Sequence, residues 1–551
     1  MGIKKRHWVV IILIAVSLIV GIIIGIFVSG QPFTRKFLFS RENKIDTILG
    51  IINEEYVDSV YMKDLVEKAI PHIIDELDPH SSYIPQKEAS GYTQAMEGSF
   101  GGIGITLGYF DTNDTLIISR ITPQSPADQA GMLAGDRIIL IDDSTYLDKG
   151  YSTDDMLSKV RGQVGTTLKL SVMRRNSDEL IEYNIMRQPI LVESVAAAYE
   201  VADGIGLIKI YDAFSLKTHE EFLNALAKLK SIGCHHYIID LRGNGGGTLD
   251  AALNIANEFL PLGRLIVYAE GKSFPGDKVF ANGTGSLQEG QVVILMDQLS
   301  ASASEVLAGA IQDNDRGLII GQRSYGKGLI QNHIELIDGS ALRLTIARYY
   351  TPSGRNIQRP YEMGKGKEYN MEWVDQLLSD GNFYEDSIKF NPELAYQTHG
   401  GRTVYGGGGI IPDIFVPLDT TSLTTYYMQL EKKDLFNHFG FYYSDKYRDT
   451  LNEFKTYAEM LEYLEEQPIL WQIVNFAEDQ GVKRRSNLIY KSTKPILRSA
   501  YACILRLFFG DAAFYPVYMD EDPVIAVAIE TIAQGMALPH SIEKEKYKKK
   551  N

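Results

Sequence analysis

MDQLSASASEVLAGAIQDNDRGLIIGQRSYGKGLIQ, from Met296 to Gln331, sets the reading of the whole chain. It begins at the end of an apolar run, Val292 to Met296, that reads as a buried strand. Alternating Ser and Ala then turn the chain into a predicted helix from Ser302 to Asp313, with Val306, Leu307, Ala310 and Ile311 on one face. A second short strand, Leu318 to Ile320, leads to Lys327 between two glycines. A hydroxyl at a strand-to-helix turn can project into solvent, and the helix start leaves N–H groups unpaired beside it. Such donors, with the positive end of the dipole, suit an oxyanion. A base is then the missing part, and Lys327 is the nearest candidate. Spacing alone does not separate Ser300, Ser302 and Ser304. The run also has a plainer reading, a capped helix start with Glu305 in the first turn, and the two are compatible.

Outward from this stretch, strands and helices alternate. Gly204 to Ile210 reads as a strand, His219 to Leu229 as an amphipathic helix, and Tyr237 to Leu241 as another strand. LRGNGGG (Leu241 to Gly247) precedes a helix from about Leu249 to Leu260, and Leu265 to Tyr268 continues the strands before Val292. Such alternation implies a largely parallel sheet with crossover helices. Sites in these sheets lie at the carboxyl ends of strands, where Gly243–Gly247 and Ser302 both fall. A phosphate loop would need a Lys-Ser/Thr after the glycines, and none follows. Ala341 to Tyr350 reads as one more strand. From about Thr420 the pattern turns helical, with apolar stripes over Ala458–Leu464, Ile469–Ala477 and Pro495–Phe509 and no motif.

The chain has 551 residues, enough for several domains, and 45% hydrophobic residues place it among globular proteins. Its charge, 55 − 70 = −15, is spread along the chain and argues against a nucleic-acid footprint. Two cysteines make no disulfide scaffold; Cys234 reads as a small buried hydrophobe, beside His235 and His236. No cluster has metal-ligand spacing, so neither metal nor cofactor is expected.

Lys4 to Arg6 are basic, and Trp8 to Val28 carry no charge over 21 residues. At 1.5 Å per residue that spans a ~30 Å hydrocarbon core, and no A-x-A-like cleavage site follows. An uncleaved anchor with a cytoplasmic basic flank puts everything after Gly30 outside. Ser17, Gly21, Gly25 and Ser29 repeat every four residues, the pattern of packed membrane helices; Gly is also simply common in such spans, and only the first reading expects a homodimer through the anchor. Arg41 to Ser90 is helical in pattern; the stripe Ile45, Ile48, Leu49, Ile52, Tyr56 opens it, and a helix from Met62 to Ile70 should kink or end at Pro71.

SASASE, then Gly-Lys-Gly with Gln331 four residues after the lysine, resembles the carboxyl-terminal processing (tail-specific) serine peptidases. The resemblance makes Ser302 the nucleophile, Lys327, 25 positions later, the general base, and Gln331, at a helix-like offset, its orienter. LDPHSSYI (Leu77 to Ile84), YTPSGRNIQ (Tyr350 to Gln358) and GGGGIIPDI (Gly406 to Ile414) resemble further family segments; the first is given no chemistry. At DLRGNGGG the family pattern is nearer D-L-R-N-N-P-G-G, so Gly243 and Gly245 depart from it. The resemblance assigns the oxyanion hole to the N–H groups of Gly246 and Ala303. Residues near Glu97 to Gln188 resemble a PDZ domain, with FGGIGI (Phe100 to Ile105) as its carboxylate-binding loop. Glycines there let successive N–H groups, those of Ile103, Gly104 and Ile105, point at a peptide C-terminus beside a strand edge that accepts the peptide.

The fold expected is an α/β multidomain chain: a crotonase/ClpP-like αβ peptidase core with an inserted PDZ domain, a transmembrane helix and a helical extension. Its expected limits are 1–30 for the flank and anchor, 41–95 for a helical region, 96–188 for the PDZ domain, 189–420 for the core and 421–551 for the extension. The implied function is a serine endopeptidase in a bacterial inner membrane, single-pass, acting outside the cytoplasm on proteins with exposed C-termini. A Ser–Lys dyad needs the lysine neutral, so burial must lower its pKa from about 10.4 to about 7–8, equivalent to ~4 kcal/mol of desolvation. Two other classes compete. One is a membrane-tethered PDZ peptide receptor with an inactive core, against which the complete Ser/Lys/Gln set argues. The other is a crotonase-like acyl enzyme, which would lack the PDZ module and the dyad.

Overall fold

Ile205–Ile210 and Val292–Met296 are buried on both alternating sets of side chains, and apolar throughout except for Lys209, the mark of strands covered on two faces. The structure, a computed structural model, describes residues 16–18, 44–110, 116–145, 153–174, 177, 179–272, 276–378, 391–419 and 421–537. Its central sheet has six strands in the order Val195–Ala202, Ile205–Ile210, His236–Asp240, Val292–Met296, Leu318–Gly321, Ile414–Phe415. The first pairing is antiparallel and the other four are parallel.

Successive side chains of these strands enter different cores. Ile208, Ile210, Ile239, Ile294 and Met296 pack with Phe222, Leu226, Ile255, Leu307 and Ile311 of the helices Thr218–Ser231, Leu249–Phe259 and Ala303–Asp313. Leu207, Ile238, Val293 and Leu295 face the other way, against Ile525, Ala528 and Ile532 of the helix Pro523–Ala533. Burying each large aliphatic side chain contributes roughly 1.5–3 kcal/mol. The C-terminal helix is therefore a structural layer of the central body.

Leu265–Glu270 does not extend this sheet, contrary to expectation. It joins a second, antiparallel one with Ser82–Ile84, Lys278–Phe280, Leu329–Glu335 and Ala341–Tyr350. Ala341–Tyr350 pairs with three of these strands, and Tyr268 stacks on Tyr350 with centroids 4.9 Å apart. Which sheet a strand joins depends on such distant partners, and its own pattern does not record them.

Residues through Ile74 form one compact unit and those from Asp75 another. The helix Met62–Asp75, which ends at the boundary, runs through Pro71, where a stop or kink was expected. A proline there removes one N–H donor and leaves the other turns able to bond. Among the described residues no helix is long and apolar enough to cross a membrane. The anchor expected over residues 8–28 and its small-residue repeat lie outside the described residues, save 16–18.

In the second unit, Ile105–Phe110, Leu116–Ile121, Arg137–Ile141, Thr167–Met173 and Leu180–Met186 form a sheet, with Ser144–Thr145 at its side. It closes over its own core of Ile103, Ile118, Met156, Leu168 and Val172. The predicted C-terminal helices stand as Tyr457–Glu465, Ile469–Asp479 and Thr493–Phe509, around Phe439, Leu464, Ile473 and Ile504. This bundle touches the small β-domain through an Arg137–Asp445 ion pair of 3.1 Å.

Candidate active site

Ser302 caps the helix Ala303–Asp313 with φ 55° and ψ −113°, a left-handed backbone that a side chain rarely adopts. Glycine at 246 is required here, since a Cβ on it would lie 2.7 Å from the Ser302 Cβ. The three serines of the run part ways. Ser300 is fully buried and its hydroxyl donates to the Leu241 carbonyl at 2.9 Å; Ser304 is fully buried and bonded to Asn244 Oδ1 at 2.8 Å. Ser302 alone of the three lines a cavity of about 360 Å³, and Lys327, Gln331, Tyr349, Arg343 and Ala303 line it too.

Lys327 Nζ donates to Gln331 Oε1 at 2.7 Å. Burial lowers the lysine pKa to about 8; the Arg343 guanidinium pushes the same way, while Glu305 and Asp78 pull it back. The amide of Gln331 accepts without adding a negative charge that would restore the proton. Gln331 sits on the strand Leu329–Glu335, so its contact with Lys327 is made at a strand end and not across a helical turn. Its Oε1 also accepts from Arg343 at 2.7 Å, and its Nε2 donates to the His80 carbonyl.

That last contact gives LDPHSSYI a role the sequence did not show. Asp78 Oδ1 accepts the N–H groups of His80 and Ser81, both at 2.9 Å, and its Oδ2 the Ser81 hydroxyl at 2.6 Å. The turn so fixed presents the carbonyl that orients Gln331. The His80 ring is held neutral, its pKa down to about 4, by burial first and then by Lys327.

Two further residues join the backbones of Ser302 and Lys327. Glu305 Oε2 accepts the N–H of Ser302 at 2.8 Å and that of Lys327 at 2.9 Å; its Oε1 takes the Gly326 N–H and the Ser324 hydroxyl. Burial raises this carboxyl, while those four donors favour its ionised form. On the carbonyl side, the Tyr349 hydroxyl lies 3.1 Å from the Ser302 oxygen and 2.7 Å from that of Lys327. Glu305 was readable only as a helix cap, and Tyr349 only as a strand residue.

Ala303 and the glycine loop border the same cavity, through Gly245 and Gly247. The Gly246 N–H is engaged by Asn244 Oδ1 at 2.9 Å. In the small β-domain, Gly104 has φ 81°, and a Cβ there would meet the Ser125 Cβ at 2.2 Å. The Ile103 carbonyl accepts from Ala127 N–H at 2.9 Å and the Gly104 carbonyl from Thr122 N–H at 2.8 Å. A planar peptide opposes its N–H to its carbonyl, so the N–H groups of Gly104 and Ile105 point away from that turn.

Family models match three segments: peptidase family S41 over residues 204–365, a PDZ domain over 101–185, and a family of unknown function over 426–510. A carboxy-terminal-processing protease of Bartonella bacilliformis is 33% identical over 356 residues, which is 62% of this chain and 80% of the relative. A probable CtpA-like serine protease of Staphylococcus epidermidis is 31% identical over 369 residues, 66% of this chain and 72% of the relative. Among solved structures, a photosystem II D1 C-terminal processing protease aligns at 23% identity and TM-score 0.35, over 68% of this chain and 87% of that one. With four-fifths of a 33%-identical relative covered, the chain belongs to peptidase family S41, as a serine endopeptidase of the carboxy-terminal-processing kind with a PDZ domain.

Proposed function

We propose that this chain cleaves the tails of extracytoplasmic proteins, with Ser302 as nucleophile, Lys327 as general base and Gln331 as its orienter. The observation that carries the reading is a buried lysine amine, its pKa down to about 8, in one cavity with the single serine of SASAS that faces it. Neutral Lys327 takes the proton as Ser302 Oγ adds to the scissile carbonyl. The Ala303 N–H at the helix start receives the developing oxyanion, joined by a donor of the Gly245–Gly247 loop once the Gly246 N–H leaves Asn244. Lys327 then gives its proton to the leaving amine, and water releases the acyl group from Ser302.

The PDZ domain captures the C-terminus of the substrate through the N–H groups of Ile103, Gly104 and Ile105. The apolar segment 8–28 anchors the chain in a bacterial inner membrane with the peptidase outside, and residues 421–551 serve as its helical extension. The test uses the full chain in detergent, wild type and Ser302→Ala, with a protein bearing an apolar tail, and reads products by mass. Tail-shortened products from the wild type alone support the reading. Equal cleavage by Ser302→Ala or by Lys327→Ala removes it.

A further inference from the structure

The His80 carbonyl holds Gln331, but its ring faces elsewhere, edge-on to Tyr325 and Tyr369 with centroids 6.2 and 5.4 Å away. Those two tyrosines, with Arg323, Arg359, Glu372 and Trp373, line a second cavity of about 240 Å³. Lys327 and Ser302 are not among its lining residues, so it is distinct from the cavity of the dyad.

Two guanidinium groups dominate this pocket. Arg359 lies between two rings, 4.6 Å from the Tyr325 centroid and 4.1 Å from that of Tyr369. Its Nε and Nη2 are buried with no hydrogen-bond partner. Arg323 donates its Nε to the Gly408 carbonyl, and among the described residues neither arginine has a carboxylate within ion-pair distance. Burial and the neighbouring Arg359 both disfavour the charge on Arg323; buried Glu305 only partly offsets them. Glu372, exposed on the helix Gly366–Leu378, is the one acid in the lining.

Buried N–H donors without acceptors are costly, and two like charges in one half-dry pocket add to that cost. A guanidinium is unlike an ammonium in presenting a planar fork that matches two oxygens of one anion. Stacking on Tyr325 and Tyr369 fixes the plane of the Arg359 fork. We propose that this pocket binds a compact oxyanion, a carboxylate or a phosphate, on Arg323 and Arg359. The two sources of that chemistry are a free anion and the terminal carboxylate of a short peptide. Ligand there would sit one ring away from the carbonyl that orients Gln331.

Trp373 lies against Tyr325, at 5.3 Å between centroids, and reports on the pocket. The probe is the full chain carrying Ser302→Ala, Trp8→Phe and Trp471→Phe, which leaves Trp373 as the sole tryptophan. Its emission is followed while sodium phosphate, N-acetyl-alanyl-alanine or the amide of that dipeptide is titrated in, with sodium chloride at equal ionic strength as the reference. A saturable change with phosphate or the free-acid peptide, absent with the amide, supports the proposal, and the arm that responds identifies the source. Arg323→Gln with Arg359→Gln should weaken that binding at least tenfold. Glu372→Gln, on an exposed position where folding is not at risk, should tighten it several-fold. A response no different from chloride overturns the proposal. So does one that keeps its strength in the double arginine variant, which would place the peptide on the PDZ domain instead.

Discussion

Asp522, at the start of the last described helix, accepts from Arg242 Nη1 with both carboxylate oxygens, at 2.9 and 3.1 Å. Arg242 immediately precedes the glycine loop, and its other side is paired with fully buried Asp240 at 2.7 Å. The C-terminal extension thus grips a loop that borders the Ser302 cavity. Asp522 also caps its own helix, accepting from Val524 and Ile525 N–H. Asp522→Asn keeps a good cap and removes only the charge. It should cost about 1–2 kcal/mol in chemical denaturation, less than a fully buried pair because Arg242 keeps Asp240. It should also lower kcat with little change in KM. Unchanged kcat would separate the extension from the loop.

Glu305→Gln tests the clamp between the reacting residues. An amide has one acceptor oxygen, so at least one set of the donors from Ser302, Ser324, Gly326 and Lys327 meets an NH2 group. A misplacement of about 1 Å costs on the order of 100-fold in rate. Steady-state kinetics on a tailed substrate should show a kcat loss of at least that size, with PDZ-dependent peptide binding retained.

The pH profile tests the proposed base. As the proposed general base Lys327 must be neutral, so under that proposal kcat/KM should rise with pH to a midpoint near the free-enzyme value of about 8. Arg343 contributes to the depression by charge repulsion. Arg343→Met should therefore move the acid limb upward by about 0.5–1 pH unit. A downward move would contradict the electrostatics of the site.

Lys327 also weakens the fold at neutral pH. Its folded pKa, about 8, lies below the unfolded value of 10.5, so below pH 8 the native state carries the full cost of a buried cation. Between about 8 and 10.5 the unfolded state binds more protons, and the native state regains stability as pH rises. Lys327→Met should stabilise the chain by up to ~3 kcal/mol at pH 7, with the advantage shrinking across that window. Denaturation curves at pH 7 and pH 10 read the difference.

Much of this was legible because it is local. The helix after Ser302 and the C-terminal helices follow from short-range periodicity, whereas SASASE with its lysine 25 residues on was read from the family resemblance. What stayed hidden acts across the chain. Gln331 meets His80 over a separation of 251 residues, and Arg242 meets Asp522 over 280. The membership of Leu265–Glu270 in the second sheet is likewise a matter of partners far along the sequence. Glu305 was visible, but a carboxylate after a serine run reads as a cap until its second oxygen and its partners are seen.

Asp78→Ala tests the most distant support. Without its carboxylate, the His80 and Ser81 N–H groups lose their acceptor and the carbonyl facing Gln331 is no longer fixed. The turn supports the base and makes no direct bond to Ser302, so kcat should fall while KM holds. Restoration by Asp78→Asn, which keeps one acceptor oxygen, should be partial. An equal loss in KM would mean that the turn shapes the substrate cleft itself.

Because one carboxylate oxygen carries the amide hydrogens of both Ser302 and Lys327, and one phenol spans their carbonyls, the backbones of the proposed nucleophile and base are tied together at two points. If the proposed roles hold, an off state of this enzyme is more readily one of access or oxyanion support than one that separates these two backbones.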